Sequence, residues 1–123
     1  MKDTNINIVK YELKIKKSLF IGHLKYVNDL ESARDFIREI KKQHKQANHN
    51  CFAYVIGDNF YSSDDREPSG SAGRPILNMI RRHNLTNVVI VVTRYFGGVE
   101  LGIRGLIEAY GNVAEGTIRE VGL

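Results

Sequence analysis

Apolar and polar residues alternate, imperfectly, over residues 6–15 and again over residues 19–26, with a short Lys-Ser break between the two segments. An alternation of period two is typical of strands that bury one face against a core. The two segments therefore predict a pair of strands joined as a β-hairpin.

The spacing of the apolar residues then becomes helical. One stripe with the spacing i, i+3, i+4 and i+7 is formed by Ala33, Phe36, Ile37 and Ile40. Asn28, with Glu31 three residues later, has the pattern of a helix start. The polar run over residues 41–50 is expected to end this helix in a loop.

The second half of the chain again shows strand and helix patterns. The apolar segment 51–56, a Gly-Asp-Asn turn and a returning segment from Phe60 predict a second hairpin. Pro75 suits the first turn of a helix, and the β-branched run 88–93 is typical of a strand buried on both faces. The last helix is predicted to begin near Gly105.

The predicted order is ββ-α-ββ-α-β-α, which indicates an α+β fold. The arrangement expected from this order is an α/β two-layer sandwich, with a mixed sheet and the helices on one face. Residues 1–123 are expected to form a single domain, with no second domain, because no linker or internal repeat interrupts the pattern.

Composition and charge narrow the class of protein. Cys51 is the only cysteine, so no intrachain disulfide can form, and no segment has the apolar length of a membrane span or the pattern of a signal peptide. We therefore expect a cytoplasmic protein without a membrane partner. Residues 1–50 carry 11 Lys and Arg against 6 Asp and Glu, a basic surplus that permits binding to a polyanion without requiring it.

Two glycine-rich segments, each placed before a predicted helix, carry the candidate chemistry. In the first, residues 64–73, the backbone N–H groups around Gly70 and Ser71 would gather at a helix N-terminus, an arrangement that attracts anions. The second, residues 94–105, directly follows the predicted buried strand, at an edge where ligands gather in α/β sheets.

Three carboxylates in the first segment leave two interpretations open. Asp64, Asp65 and Glu67 either cap the helix and form ion pairs within the loops, or they bind Mg²⁺, which prefers clustered carboxylate oxygens. Capping and ion pairing are the interpretation that the sequence favours. The identity of any bound metal stays open.

Arg94 is the central candidate of the second segment, since its guanidinium suits phosphate or carboxylate. Pairing with a carboxylate of the first segment, which would lock the two loops together, is slightly favoured over a role as a free anchor. The candidate residues for nucleic-acid or anion binding are Arg66, Gly70, Ser71, Arg74, Arg94, Gly97, Gly98 and Arg104. His49 and Cys51 are too few for a zinc site and are expected to pack together rather than to form a catalytic dyad.

The glycine-rich region resembles the IMPACT/YigZ family. The family pattern is H-x-C-x-A, then DDGEPSGTAG-x-P, then N-V-x-V-V-V-T-R-Y-F-G-G-x-x-L-G-x-G-G-L-x-x-A-Y, and the match is highly specific over residues 64–110. The sequence departs from the pattern at three positions. Arg66 and Arg104 stand where the family has glycine, and Ser71 stands where it has threonine.

The resemblance implies a fold like domain two of ribosomal protein S-five, with a left-handed βαβ crossover. It also implies a connection to translation and stress signalling, because the eukaryotic family protein competes for a coactivator of the kinase that phosphorylates the initiation factor. Bacterial relatives add a C-terminal ferredoxin-like domain and eukaryotic relatives an N-terminal RWD domain, so the chain is expected to correspond to the core alone.

The favoured hypothesis is a non-enzymatic binding module that acts in translation regulation, with RNA, the ribosome or a protein as its partner. No cofactor is expected, and the oligomeric state stays open. The alternative is a small Mg²⁺-dependent hydrolase or phosphotransfer enzyme that uses the loop of Asp64, Asp65 and Glu67.

Overall fold

The computed structural model describes residues 8–122 and contains strands and helices in the predicted order. The elements are β1 (Ile8–Ile15), β2 (Ser18–Tyr26), α1 (Leu30–Gln43), β3 (His49–Ile56), β4 (Asn59–Ser63), α2 (Gly73–Arg82), β5 (Val88–Tyr95) and α3 (Gly102–Arg119). The predicted α+β class is confirmed. Ile6, which opens the first predicted strand, lies outside the described residues.

The strands described between Ile8 and Tyr95 form one sheet with the order β1-β2-β5-β3-β4. Every neighbouring pair is antiparallel, so the prediction of a mixed sheet was wrong. β2 and β3 do run parallel to each other, as do β4 and β5, but another strand lies between the members of each pair. A strand–helix–strand order indicates parallel strands without revealing that an antiparallel strand is inserted between them.

Helices cover both faces of the sheet, so the prediction of two layers with the helices on one face was wrong as well. α1 packs on one face, in a cluster with Phe52, Tyr54, Val89 and Val91. α2 and α3 pack on the other face, in a cluster with Cys51, Ala53, Val88, Ile90 and Val92. Because successive residues of a strand point to opposite faces, the continuous apolar run of β5 supplies both cores.

The positions of the helices fix the handedness of the two crossovers. The connection β2-α1-β3 passes over β5, and the connection β4-α2-β5 passes over β3. Half a turn about the axis perpendicular to the sheet brings the strands of one connection onto those of the other, with the same strand directions. They would have the same hand if their helices shared a face. Since α1 and α2 lie on opposite faces, one of the two crossovers is left-handed, which confirms the rare feature that the resemblance implies.

Two helix starts differ from the prediction. The N-cap of α1 is Asp29 rather than Asn28, and its carboxylate accepts a hydrogen bond from the Ser32 amide at 2.8 Å. α3 begins at Gly102 rather than near Gly105. Its first turn is exposed, and an apolar stripe cannot locate a turn that contributes nothing to the core.

None of the helices described up to Gly122 combines the length and apolar content that a bilayer crossing requires.

A buried histidine in β2 makes stability depend on pH. His23 is 3% exposed, and its Nε2 lies 3.1 Å from the hydroxyl oxygen of Thr93. That hydroxyl donates to Asn50 Oδ1 at 2.7 Å, so the histidine nitrogen is the donor of the pair. Burial, aided by the nearby charges of His44 and Lys10, lowers the pKa of His23 to about 3.

We expect acidification to destabilise the fold through His23. The unfolded chain takes up a proton as the pH falls below 6.5, whereas the folded state resists it until about pH 3, so stability is lost across this window. At pH 5 the loss relative to pH 7 is about 2 kcal/mol. Urea denaturation at several pH values measures it. His23→Gln should flatten the profile; a slope equal to that of the wild type would contradict the assignment.

Candidate functional site: the cleft between the two loops

The two glycine-rich loops meet at a buried ion pair. Arg94 donates from its Nη1 to Glu67 Oε2 at 2.9 Å, and the two residues are 5% and 7% exposed. The hydroxyl of Tyr110, a fully buried residue of α3, donates to the same carboxylate oxygen at 2.5 Å. The pairing of Arg94 with a carboxylate of the first loop is therefore confirmed, and the pair joins the first loop, β5 and α3.

The guanidinium of Arg94 is also fixed from the side of the first hairpin. Its Nε donates to the hydroxyl of Ser18 at 3.3 Å, and its Cζ lies 5.6 Å from the ring centroid of Phe20. The amide of Gly97 donates to the same hydroxyl at 3.3 Å. A Cβ at Gly97 would lie 1.8 Å from the carbonyl oxygen of Lys17, so the second loop can pass this close to the hairpin turn only with glycine at that position.

Asp64 supplies the anion that the start of α2 attracts. One of its carboxylate oxygens accepts hydrogen bonds from the amides of Ala72 at 3.1 Å and Gly73 at 2.8 Å, and the other accepts from Gly70 at 2.8 Å. Ser71 donates its hydroxyl to the carbonyl of Pro68 at 2.6 Å. The predicted cluster of amide donors thus exists, and the chain's own carboxylate occupies it, as the capping interpretation proposed.

Asp65 and His49 tie the first loop to β3. Asp65 accepts the amide of Asn50 on its carboxylate at 2.6 Å, and its carbonyl lies 2.8 Å from Nδ1 of His49, which donates to it. The other ring nitrogen of His49 lies 3.6 Å from Glu67 Oε1. Both nitrogens of His49 therefore face the first loop and not the thiol of Cys51.

The remaining reactive groups of this region are engaged as structural contacts. Cys51 is fully buried and donates its thiol to the carbonyl of Asp64 at 3.1 Å, and burial raises the pKa of that thiol well above its usual range. Among residues 8–122, no three or more His, Cys, Asp or Glu side chains converge as a metal site. The three loop carboxylates each serve a different internal partner and do not form a common set of metal ligands.

The two arginines that depart from the family pattern occupy different backbone conformations. Arg66 has a φ of +72°, in the left-handed region where glycine is favoured, and its guanidinium donates to the carbonyl of Asn48 at 3.3 Å. Arg104 lies in the first turn of α3 and is exposed. The glycine of the family pattern thus has a backbone explanation at position 66, whereas at position 104 the structure gives none.

A cleft of about 370 Å³ opens above the ion pair, between the two loops. Its floor includes His49, Glu67 and Arg94, and the rest of its lining is formed by Asn48, Pro68, Phe96 and the segment 100–103 with Leu106. Phe96 and Ile103 are 44% and 59% exposed at its border. Val99 and Ile107 are exposed as well, at 38% and 42%, but they do not line the cleft, whose border also includes Glu100.

Arg94 lines this cleft, whereas the other seven residues predicted to bind anions do not. Gly70 and Ser71 belong to the capped start of α2, and Gly98 has a φ of +90° that the turn requires. Arg74 lies on the far side of α2, beside Phe60 and Tyr61. An anion-binding role for these residues stays a prediction.

Two members of the site have no functional signal in the sequence. Asn48 accepts the amide of Phe96 on its side-chain oxygen at 2.8 Å, and its own amide donates to the carbonyl of Arg94 at 3.0 Å. It lies in a polar run that indicates only a loop. Tyr110 is a fully buried core residue of α3, and its position in the sequence does not reveal that its hydroxyl reaches Glu67.

Comparison with known proteins places the chain in a family. The model of the Impact N-terminal domain family matches residues 16–118. The chain is 51% identical over 111 residues to the IMPACT family member YvyE of Bacillus subtilis, covering 87% of this chain and 51% of the relative. It is 36% identical over 113 residues to YigZ of Escherichia coli, covering 88% of this chain and 55% of that protein. The chain spans about half the length of these curated relatives.

Solved structures share the fold. The crystal structure of a hypothetical protein superposes with a TM-score of 0.90 at 35% identity, over 94% of this chain and 58% of that one. The two-domain translational regulator Yih1 superposes with a TM-score of 0.60 over 98% of this chain and 49% of that one. At 22% identity, the second likeness supports the fold alone.

Proposed function

Since the chain belongs to the Impact N-terminal domain family, we propose that it is a non-enzymatic binding module of translation regulation, and that the cleft between its two loops binds a protein of the ribosome. The role in translation rests on the family relationship, and it would place the protein in the cytoplasm. The choice of a protein partner rests on the cleft itself.

The observation that carries this choice is the contrast between the floor and the border of the cleft. The charge of Arg94 is already matched by Glu67 at 2.9 Å, so the floor offers no unpaired cation to a phosphate. The border instead exposes the side chains of Phe96 and Ile103. Exposed apolar residues around a concave site are typical of surfaces that bind another protein, where a few buried anchors provide most of the affinity.

The support for a non-catalytic role is that the candidate reactive groups have internal partners. Asp64 accepts hydrogen bonds from three backbone amides, and Glu67 accepts hydrogen bonds from Arg94 and Tyr110. The Cys51 thiol is buried. A nucleophile or general base must reach a substrate, and each of these groups would have to give up a structural contact to do so. The magnesium-dependent alternative draws no support from this arrangement.

The proposal is tested by co-sedimentation with purified bacterial ribosomes. We expect the wild-type protein to pellet with ribosomes and Ile103→Asp to bind about tenfold more weakly, the loss of one apolar anchor. Position 103 lies in the first turn of α3, where a carboxylate suits the helix dipole, so the variant should fold.

Leu30→Asp is the matched control, since Leu30 is 37% exposed at the start of α1, on the opposite side of the sheet. It should bind like the wild type. The proposal is contradicted if the wild-type protein does not pellet, or if the variants at positions 30 and 103 behave alike.

A further inference from the structure

Three aromatic side chains lie close together near β4, on the part of the α1 face of the sheet that α1 itself does not cover. Phe52 and Tyr54 of β3 are mostly buried there, and the ring centroid of Tyr61 in β4 lies 6.1 Å from each of theirs. Tyr61 itself is 55% exposed. A tilted cluster of this kind, with one ring open to water, is a platform on which a further planar group can stack.

These aromatic residues line a cleft, and cations of α1 form its wall. Arg34 and Arg38 line it with the three aromatic residues and Ile37, and the cleft has a volume of about 370 Å³. The amino group of Lys41 lies 5.5 Å from the Phe52 ring centroid. The spacing of 34, 38 and 41 places these cations on one helix face. Among residues 8–122, no carboxylate lines the cleft, although Asp35 pairs with Arg38.

We propose that this α1–β4 cleft binds single-stranded nucleic acid, with Tyr61 stacking against a base and the α1 cations contacting the adjoining phosphates. Exposed aromatic rings beside a basic groove are how proteins hold unpaired strands without reading sequence. The observations favour nucleic acid over a protein partner. Among the described residues, the lining combines an aromatic ring on which a base can stack with cations that can contact phosphates, and it includes no carboxylate. This surface is separate from the two-loop cleft.

Phe60 provides a matched control on the same strand. It is also 55% exposed, but it follows the opposite face of the sheet, since it pairs with Val55 while Tyr61 pairs with Tyr54. The guanidinium of Arg81 lies 4.1 Å from the Phe60 ring centroid and covers that ring. One face of the Phe60 ring is therefore already covered by a cation, whereas no cation is recorded over the ring of Tyr61 among the described residues.

The test is fluorescence anisotropy with a labelled oligouridylate of about 12 nucleotides, a length that spans one such site. We expect binding that weakens about tenfold or more between roughly 50 and 200 mM salt. Tyr61→Ala should weaken it about tenfold, and Tyr61→Phe, which keeps the ring, should retain it. Phe60→Ala and Ile103→Asp should bind like the wild type. An oligothymidylate distinguishes RNA from single-stranded DNA, and binding of either agrees with the proposal.

The inference is overturned if neither oligonucleotide binds at about 50 mM salt, where binding without sequence preference is strong. It is also overturned if Tyr61→Ala and Phe60→Ala lose affinity equally. A loss of affinity in Ile103→Asp as large as that in Tyr61→Ala would overturn it as well. Thermal melts of each variant confirm that it is folded before affinities are compared. Because the two surfaces carry different variants, failure here is distinguishable from failure of the proposed protein-binding cleft.

Discussion

Glu67→Ala is expected to lower the free energy of unfolding by about 3–5 kcal/mol, because it leaves a buried cation without its counter-charge. Arg94 is 5% exposed and would lose the partner at 2.9 Å, and the Tyr110 hydroxyl would lose the acceptor at 2.5 Å. Urea denaturation monitored by circular dichroism measures the change.

A double variant separates the charge from the packing. Glu67→Leu with Arg94→Met removes both buried charges together, and replacement of a whole ion pair by apolar side chains is often close to neutral. The double variant should therefore be more stable than Glu67→Ala alone. A cost of less than about 1 kcal/mol for Glu67→Ala would mean that the pair is not desolvated as described.

Asp64→Ala is expected to cost about 2–4 kcal/mol, since three amides at the start of α2 lose their acceptor together. Asp64→Asn should cost less. The side-chain oxygen of the asparagine can still accept hydrogen bonds from the amides of Ala72 and Gly73, whereas the hydrogen bond from the amide of Gly70 is lost. Thermal or urea unfolding of the two variants provides the comparison, and equal costs would contradict the capping role.

The same variant tests the magnesium alternative. If Asp64 caps α2, millimolar Mg²⁺ should leave the Tm of the wild-type protein unchanged, because the carboxylate has no free oxygen directed to a cation. A Mg²⁺-dependent rise in Tm that disappears in Asp64→Ala would support a metal site at this loop instead.

The sequence predicted the elements better than their arrangement. The stripe of Ala33, Phe36, Ile37 and Ile40 is buried as expected, since helical spacing reports directly on a buried face. The same local pattern cannot tell which face of the sheet a helix covers. The apolar run of β5 did indicate burial on both faces, and that signal, weighed fully, would have argued for helices on both sides.

The chemistry of the loops was only partly predictable. That Arg94 pairs with a loop carboxylate follows from residue types, but the choice of Glu67 depends on the path of the first loop. There Asp64 turns toward α2, and Asp65, with a φ of +42°, turns toward β3. Backbone turns of this kind are set by several contacts at once, and no single residue announces them.

The most direct test of a protein-binding cleft is site-specific photo-crosslinking on ribosomes, with benzoylphenylalanine in place of Ile103 or of the control residue Leu30. The account predicts that position 103 yields an adduct that survives ribonuclease and is removed by protease, and that position 30 does not. An adduct at position 103 that ribonuclease destroys, or equal adducts from both positions, would contradict it.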